Sequence, residues 1–148
     1  MLDVDNFKQF NDSFGHPIGD RLLRALGDYL KARVRPGDIP SRYGGEEFTL
    51  ILPEASMEIV RERAESLREG FSQIPLHLGT AVAKIPQALS LSCGVAIFPE
   101  HGTTAEEILR AADEALYQAK RAGKNRVVIA AGSSTTSALA AREQAHLV

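Results

Sequence analysis

The chain has 148 residues, 44% of them hydrophobic and 24% charged, with a formal net charge of −2 at pH 7. That length suits one domain around one buried core, and the near-neutral balance excludes a protein that coats nucleic acid, which needs many Lys and Arg against phosphates. The lone cysteine, Cys93, excludes an intrachain disulfide and reads as a buried thiol among the apolar neighbours of LSLSCGVAIF, in keeping with a reducing cytosol.

No run of about 20 apolar residues and no basic-then-apolar leader occurs, so the expectation is a soluble, cytoplasmic piece. The sequence opens on MLDVD, already the end of a strand, which predicts a longer parent whose attachment to a membrane stays open. After a strand ending near Asp3, RLLRALGDYLKARV places Leu22, Leu23, Leu26, Tyr29 and Leu30 on one helical face, with Asp20 ahead of it as a cap. Arg35-Pro36-Gly37-Asp38 breaks the helix. Two strands joined through Gly44-Gly45 follow, then a helix from Ser56 to Phe71 with Ile59, Val60, Ala64, Leu67 and Phe71 inward.

Gln73 to Gln87 shows no clear period. LSLSCGVAIF reads as a central strand, and Thr104 with Glu107 forms a capping box for a helix whose inner face is Ile108, Ala111, Ala112, Ala115, Leu116 and Ala119. Gly123 ends that helix and RVVIA is a last strand. Residues 131–148 are small and polar, a predicted disordered tail whose last dozen residues have marginal helical character. The order β-α-β-β-α-β-α-β predicts an α+β sandwich with a mainly antiparallel sheet, of the ferredoxin-like split βαβ kind.

Three groups of residues suggest chemistry. In LDVDNFK, Asp3 and Asp5 share one strand face, where two carboxylates repel unless a cation such as Mg²⁺ neutralises them; the plainer reading is two solvated acids. In SRYGGEEF, glycines permit positive φ and close approach to phosphate, while Glu46 and Glu47 would repel phosphate without a metal between them; an ordinary charged hairpin tip is the alternative. Lys8, Lys120 and Lys124 are placed to meet a triphosphate, although basic residues at a helix C-terminus also suit the helix dipole. Asn11 and Asp20 have the donors and acceptors to read guanine and would serve equally as turn or cap residues; His16, in the rigid FGHPIGD loop, reads as structural.

Taken together, LDVDNFKQFNDSFGHPIGD, RPGDIPSRYGGEEF and ADEALYQAKRAGKNRV resemble the GGDEF family of diguanylate cyclases, in its GGEEF variant and in the family's order. The resemblance implies a domain of residues 1–130 with a nucleotidyl-cyclase-type fold that joins two GTP into cyclic di-GMP and pyrophosphate as a two-fold homodimer. It implies Mg²⁺, with Mn²⁺ as a substitute, held by Asp3, the Val4 carbonyl and Glu46. Glu46 would also accept the proton of the attacking hydroxyl, Glu47 would assist, and Asn11 and Asp20 would hold guanine with His16 nearby. Gly44 and Gly45 would lie against phosphate, Lys8, Lys120 and Lys124 would steady the triphosphate, and Lys8 would also be catalytic, acting in the transition state. Arg35 and Asp38 match the family's RxxD motif, five residues ahead of the glycine turn, which implies an allosteric site where cyclic di-GMP binds as product inhibitor; a plain helix-ending turn is the alternative.

The family's leading DxLTGLxNR-like helix and complete first strand have no counterpart here, which implies an upstream sensor or regulatory region in the parent and a weakened fragment. Lys124 stands where the family often has Arg, keeping charge and losing the planar fork. The competing functions are a non-catalytic module that binds GTP or cyclic di-GMP, and a cyclase making a mixed dinucleotide.

Overall fold

The computed structural model describes residues 1–78 and 81–132. Its elements are β1 (Leu2–Asp5), α1 (Phe7–Phe14), α2 (His16–Lys31), β2 (Ile39–Gly44), β3 (Glu47–Ile51), α3 (Met57–Phe71), β4 (Pro75–Leu78), β5 (Ala81–Lys84), β6 (Ser90–Val95), α4 (Ala105–Arg121) and β7 (Val127–Ile129). A sheet in the order β2-β3-β1-β6-β7 is antiparallel throughout except for the parallel β6–β7 pair; β4 and β5 form a separate hairpin. The α+β sandwich and mainly antiparallel sheet agree with the sequence reading. Among the described residues no helix is long and apolar enough to cross a membrane.

β1 is buried along its length, with β3 and β6 on either side. Register fixes what each face carries. Leu2 pairs with Phe48 and Cys93, and Val4 with Leu91, so these side chains share one face. They join a core with Leu22, Leu26 and Leu30 of α2 and Leu67 and Phe71 of α3. Cys93 is enclosed there, and burial pushes its thiol up to about 12, which removes it as a nucleophile.

The other face presents Asp3, Asp5, Ser92 and Gly94, and lies against α4. A Cβ on Gly94 would sit 2.1 Å from the Ala112 carbonyl oxygen and 2.3 Å from the Leu116 nitrogen, so only glycine admits the helix this close. The alanine stripe Ala112, Ala115 and Ala119 serves the same approach. The Thr104–Glu107 capping box forms as predicted. At the other end the Lys124 N–H reaches Ala119 O and the Gly123 N–H reaches Lys120 O, a Schellman closure with Gly123 at φ +113°.

Four local expectations change. α1 is an additional helix, launched directly from β1 through Asn6 at φ 61° with no side-chain cap. α2 begins at His16, with Pro17 in its first turn, so Asp20 lies inside the helix and is not its cap. The hairpin β4–β5 occupies the stretch that showed no period. Ile59, assigned to the inner face of α3, is 45% exposed. The predicted tail lies outside the described residues from position 133 onward.

Candidate active site

The strand end and the glycine turn meet through the sheet ladder. Asp3 pairs with Glu47 across β1 and β3, and the Val4 N–H reaches the Glu46 carbonyl at 3.4 Å. A register shift between Arg42 and Gly44 bulges the hairpin, and the Arg42 guanidinium closes it with two bonds to Gly45 O, at 2.9 and 2.7 Å. Neither Gly44 nor Gly45 uses the positive φ that glycine permits. What glycine provides is bare surface: a Cβ on Gly45 would meet nothing within 4 Å, so backbone is open to a ligand there.

Asp3 is 4% exposed and its carboxylate binds Lys120 Nζ at 2.7 Å. Burial raises its pKa above the ordinary 3.8; Lys120 works against that, and the Glu46 and Glu47 charges add to it. Asp3 thus feels the charges of two neighbouring carboxylates and bonds one ammonium, an environment short of positive charge. Among the described residues no cluster of three or more metal-type ligands is already arranged for an ion. Two carboxylates and a carbonyl nonetheless suit a hard cation that completes its shell with water and phosphate oxygens.

Asp5 shares that strand face but not that role. Its carboxylate is 2% exposed and accepts from Ser90 Oγ at 2.7 Å, from Ser92 Oγ at 2.8 and 2.9 Å, and from the Asn125 N–H at 3.1 Å. The two acids therefore do not converge on one cation, as the bare spacing had suggested. The overlooked signal is the LSLS spacing, which puts Ser90 and Ser92 on one face of the neighbouring strand. Asn125 also receives Arg68 on its side-chain oxygen at 2.9 Å, and Lys124 Nζ bonds Asn6 Oδ1 at 2.6 Å.

Asp20 lines a cleft of about 460 Å³ between α2 and β2, with Leu23, Gly27, Ser41, Arg42 and Phe48. Asn11, on α1, has a buried Oδ1 with no hydrogen-bond partner among the described residues. An unmatched buried acceptor carries a penalty of about 1–3 kcal/mol, which a donor on a bound ligand would relieve. Lys8 and His16 are exposed, and among the described residues neither side chain forms a hydrogen bond or ion pair. A groove of about 450 Å³, lined by Leu50, Val60, Leu67, Ile97 and Leu109, is mainly apolar and lacks the convergent charges of the carboxylate centre.

Asp38 is fully enclosed at its side chain. It accepts from the Arg35 N–H at 2.9 Å, Arg35 Nε at 3.1 Å and Arg63 at 2.8 Å. Burial alone would raise its pKa, but these bonds prevail and hold it below the ordinary 3.8. Arg35 also donates to Pro53 O at 2.5 Å, and Arg63 to Arg33 O at 2.8 Å. Arg63 was not singled out from the sequence, because on α3 it reads as one of many charges on an outer face.

Residues 1–126 match the sequence model of the family described as diguanylate cyclase, GGDEF domain. The chain is 39% identical over 130 residues to diguanylate cyclase DgcP of Pseudomonas aeruginosa, covering 88% of this chain and 19% of that protein. It is 41% identical over 128 residues to response regulator PleD of Caulobacter vibrioides, covering 86% and 28%. It thus spans well under a third of these two relatives. Among solved structures, the active GGEEF domain of a diguanylate cyclase from Vibrio cholerae aligns with TM-score 0.76 and 33% identity, over 89% of this chain and 81% of that one. The GGDEF domain of DgcB from Caulobacter crescentus, in complex with c-di-GMP, aligns with TM-score 0.77 and 35% identity, over 86% and 72%.

Proposed function

The chain belongs to the GGDEF family of diguanylate cyclase domains, and from that premise we propose that it condenses two GTP into cyclic di-GMP with release of two pyrophosphates. The observation that carries this reading is the buried Asp3 carboxylate on Lys120 at 2.7 Å, with Glu46 and Glu47 raising its pKa. Such a centre is unbalanced without a cation and has an ammonium ready to turn to phosphate.

Asp3, the Val4 carbonyl and Glu46 would hold Mg²⁺, or Mn²⁺ in its place. When bound, that ion supplies positive charge against the phosphate oxygens and the leaving pyrophosphate. Glu46 accepts the proton of the attacking 3′-hydroxyl as the new oxygen to α-phosphorus bond forms and the bond to pyrophosphate breaks. Glu47 supports the carboxylate cluster. Lys120 exchanges Asp3 for phosphate, with Lys8 and Lys124 beside it, and Gly44 and Gly45 admit the triphosphate to the turn. Asn11 and Asp20 read guanine, with His16 at the mouth of α2.

One chain offers one such centre, while the product has two identical halves. Two copies facing each other about a two-fold axis therefore bring one GTP each. Cyclic di-GMP would return to Arg35 and Asp38 as feedback, and guanine would then have to displace bonds that Asp38 already accepts. We place this work in the cytoplasm, where GTP is supplied.

Glu46→Gln tests the reading because it keeps shape and removes the proton acceptor. Turnover should fall by about 100-fold or more with the fold intact. Unchanged turnover would remove Glu46 from the chemistry. GTP binding without turnover in the unaltered chain would favour a binding module instead.

A further inference from the structure

We propose that Asp5 is a positioning residue for the phosphate arm, acting on nucleotide through Lys124 and touching neither nucleotide nor metal itself. The inference rests on the nucleotide reading above and concerns how its cationic arm is held. Asp5 is 2% exposed, and both carboxylate oxygens are engaged by Ser90, Ser92 and the Asn125 N–H. A carboxylate so occupied has no open face for a ligand. Its contacts instead tie three parts of the chain together: the end of β1, the start of β6 and the turn that follows α4.

That turn needs tying. Gly123, Lys124 and Asn125 take φ values of 113°, 62° and 48° in succession. For residues other than glycine this left-handed backbone is unfavourable by about 1–2 kcal/mol each and persists where surrounding bonds over-determine it. The bonds include the Lys124 N–H to Ala119 O at 3.0 Å, Arg126 Nε to Lys124 O at 3.0 Å, Arg68 to Asn125 Oδ1 at 2.9 Å, and the Asn125 N–H to Asp5 at 3.1 Å. Only the last reaches β1. Its result is that Lys124 Nζ is delivered to Asn6 Oδ1 at 2.6 Å, one residue beyond Asp5 and on the strand end that presents Asp3. Without Asp5, α4 would still end at Gly123, but the lysine would lose its register on the metal strand.

What this role requires of Asp5 is an acceptor, not a charge. In Asp5→Asn, the amide oxygen can accept from Ser90 and the Asn125 N–H while its NH₂ donates to the Ser92 hydroxyl. A metal ligand would not tolerate that change. Titration of each variant with GTP and Mg²⁺, following affinity, separates the two roles. Asp5→Ala should weaken GTP by about 10- to 100-fold, as several lost hydrogen bonds imply, and Asp5→Asn should stay within about threefold of wild type. In a Lys124→Ala background, Asp5→Ala should add less than about twofold, because residues that act through one another are not additive.

Should Asp5→Ala fail to fold, Ser92→Ala takes its place. It is expected to weaken GTP about three- to tenfold, again only while Lys124 is present. Equal damage from Asn and Ala would make the Asp5 charge essential and overturn the proposal. So would an undiminished loss in the Lys124→Ala background, or wild-type affinity in Asp5→Ala or Ser92→Ala. Absence of GTP binding in the unaltered chain is a different failure: it removes the nucleotide reading itself, and this role with it.

Discussion

Asp3 sets folding against chemistry within one side chain. Burial raises its pKa above 3.8, Lys120 opposes the rise, and Glu46 and Glu47 reinforce it. The folded chain therefore holds the Asp3 proton more tightly than the unfolded chain does. Ionisation at neutral pH lowers stability, and that stability returns as pH falls into the raised titration range. Asp3→Asn keeps the shape and removes the charge. It should melt at or above the wild-type temperature at pH 7 while product formation falls by about 100-fold or more, since metal charge stabilisation contributes several kcal/mol. Scanning calorimetry beside a product assay checks both; a lower melting temperature with full activity would contradict the account. The paired acids also mark where residue-level reading stopped. Alternation put Asp3 and Asp5 on one face, which is correct, but their partners are distant in sequence: Lys120 binds Asp3, while Ser90, Ser92 and the Asn125 N–H occupy Asp5.

Among the elements, α4 was readable because its signals are local: a capping box, an alanine stripe and a terminal glycine all lie within it. α1 was not, because its eight residues start from an uncapped Asn6 and bury only Phe7 and Phe10. The β4–β5 hairpin was not, because PLHL and AVAK are short and largely exposed. Missing α1 also hid a contact that matters to the site. Gly19 of α2 faces Asn11 of α1 so closely that a Cβ would lie 1.8 Å from Asn11 Oδ1 and 2.9 Å from its Cγ. Gly19→Ala must therefore displace the amide assigned to guanine. GTP affinity is expected to drop about tenfold, the value of one well-placed hydrogen bond, while affinity for ATP stays unchanged. Competition titrations with both nucleotides give the ratio; an unaltered preference for GTP would take guanine recognition away from Asn11.

At the scale of the whole molecule, the sheet works as a partition. One face carries the apolar core with α2 and α3, and the other carries the buried carboxylates against α4. The three motif blocks were legible as a family because residue types at chain positions far apart recur in a fixed order, and the fold shows why that order matters: β1 lies between the glycine-turn hairpin and the strand that leads into α4. Arg63 and Arg68 were not legible for the opposite reason. They read as two among the many charges of one helix, yet one bonds Asp38 in the RxxD loop and the other Asn125 in the lysine turn. α3 thus touches both the proposed product site and the proposed phosphate arm, a connection that periodicity cannot reveal.

The centre around Asp3 and Glu46 is proposed to make cyclic di-GMP, with two copies of the chain each contributing one GTP. The direct measurement is mass detection of product after incubation of the purified chain with GTP and Mg²⁺ over a range of protein concentrations. One cyclic di-GMP is expected for every two pyrophosphates, with activity per chain rising as concentration drives pairing. GTP bound but left unconverted at every concentration would contradict it.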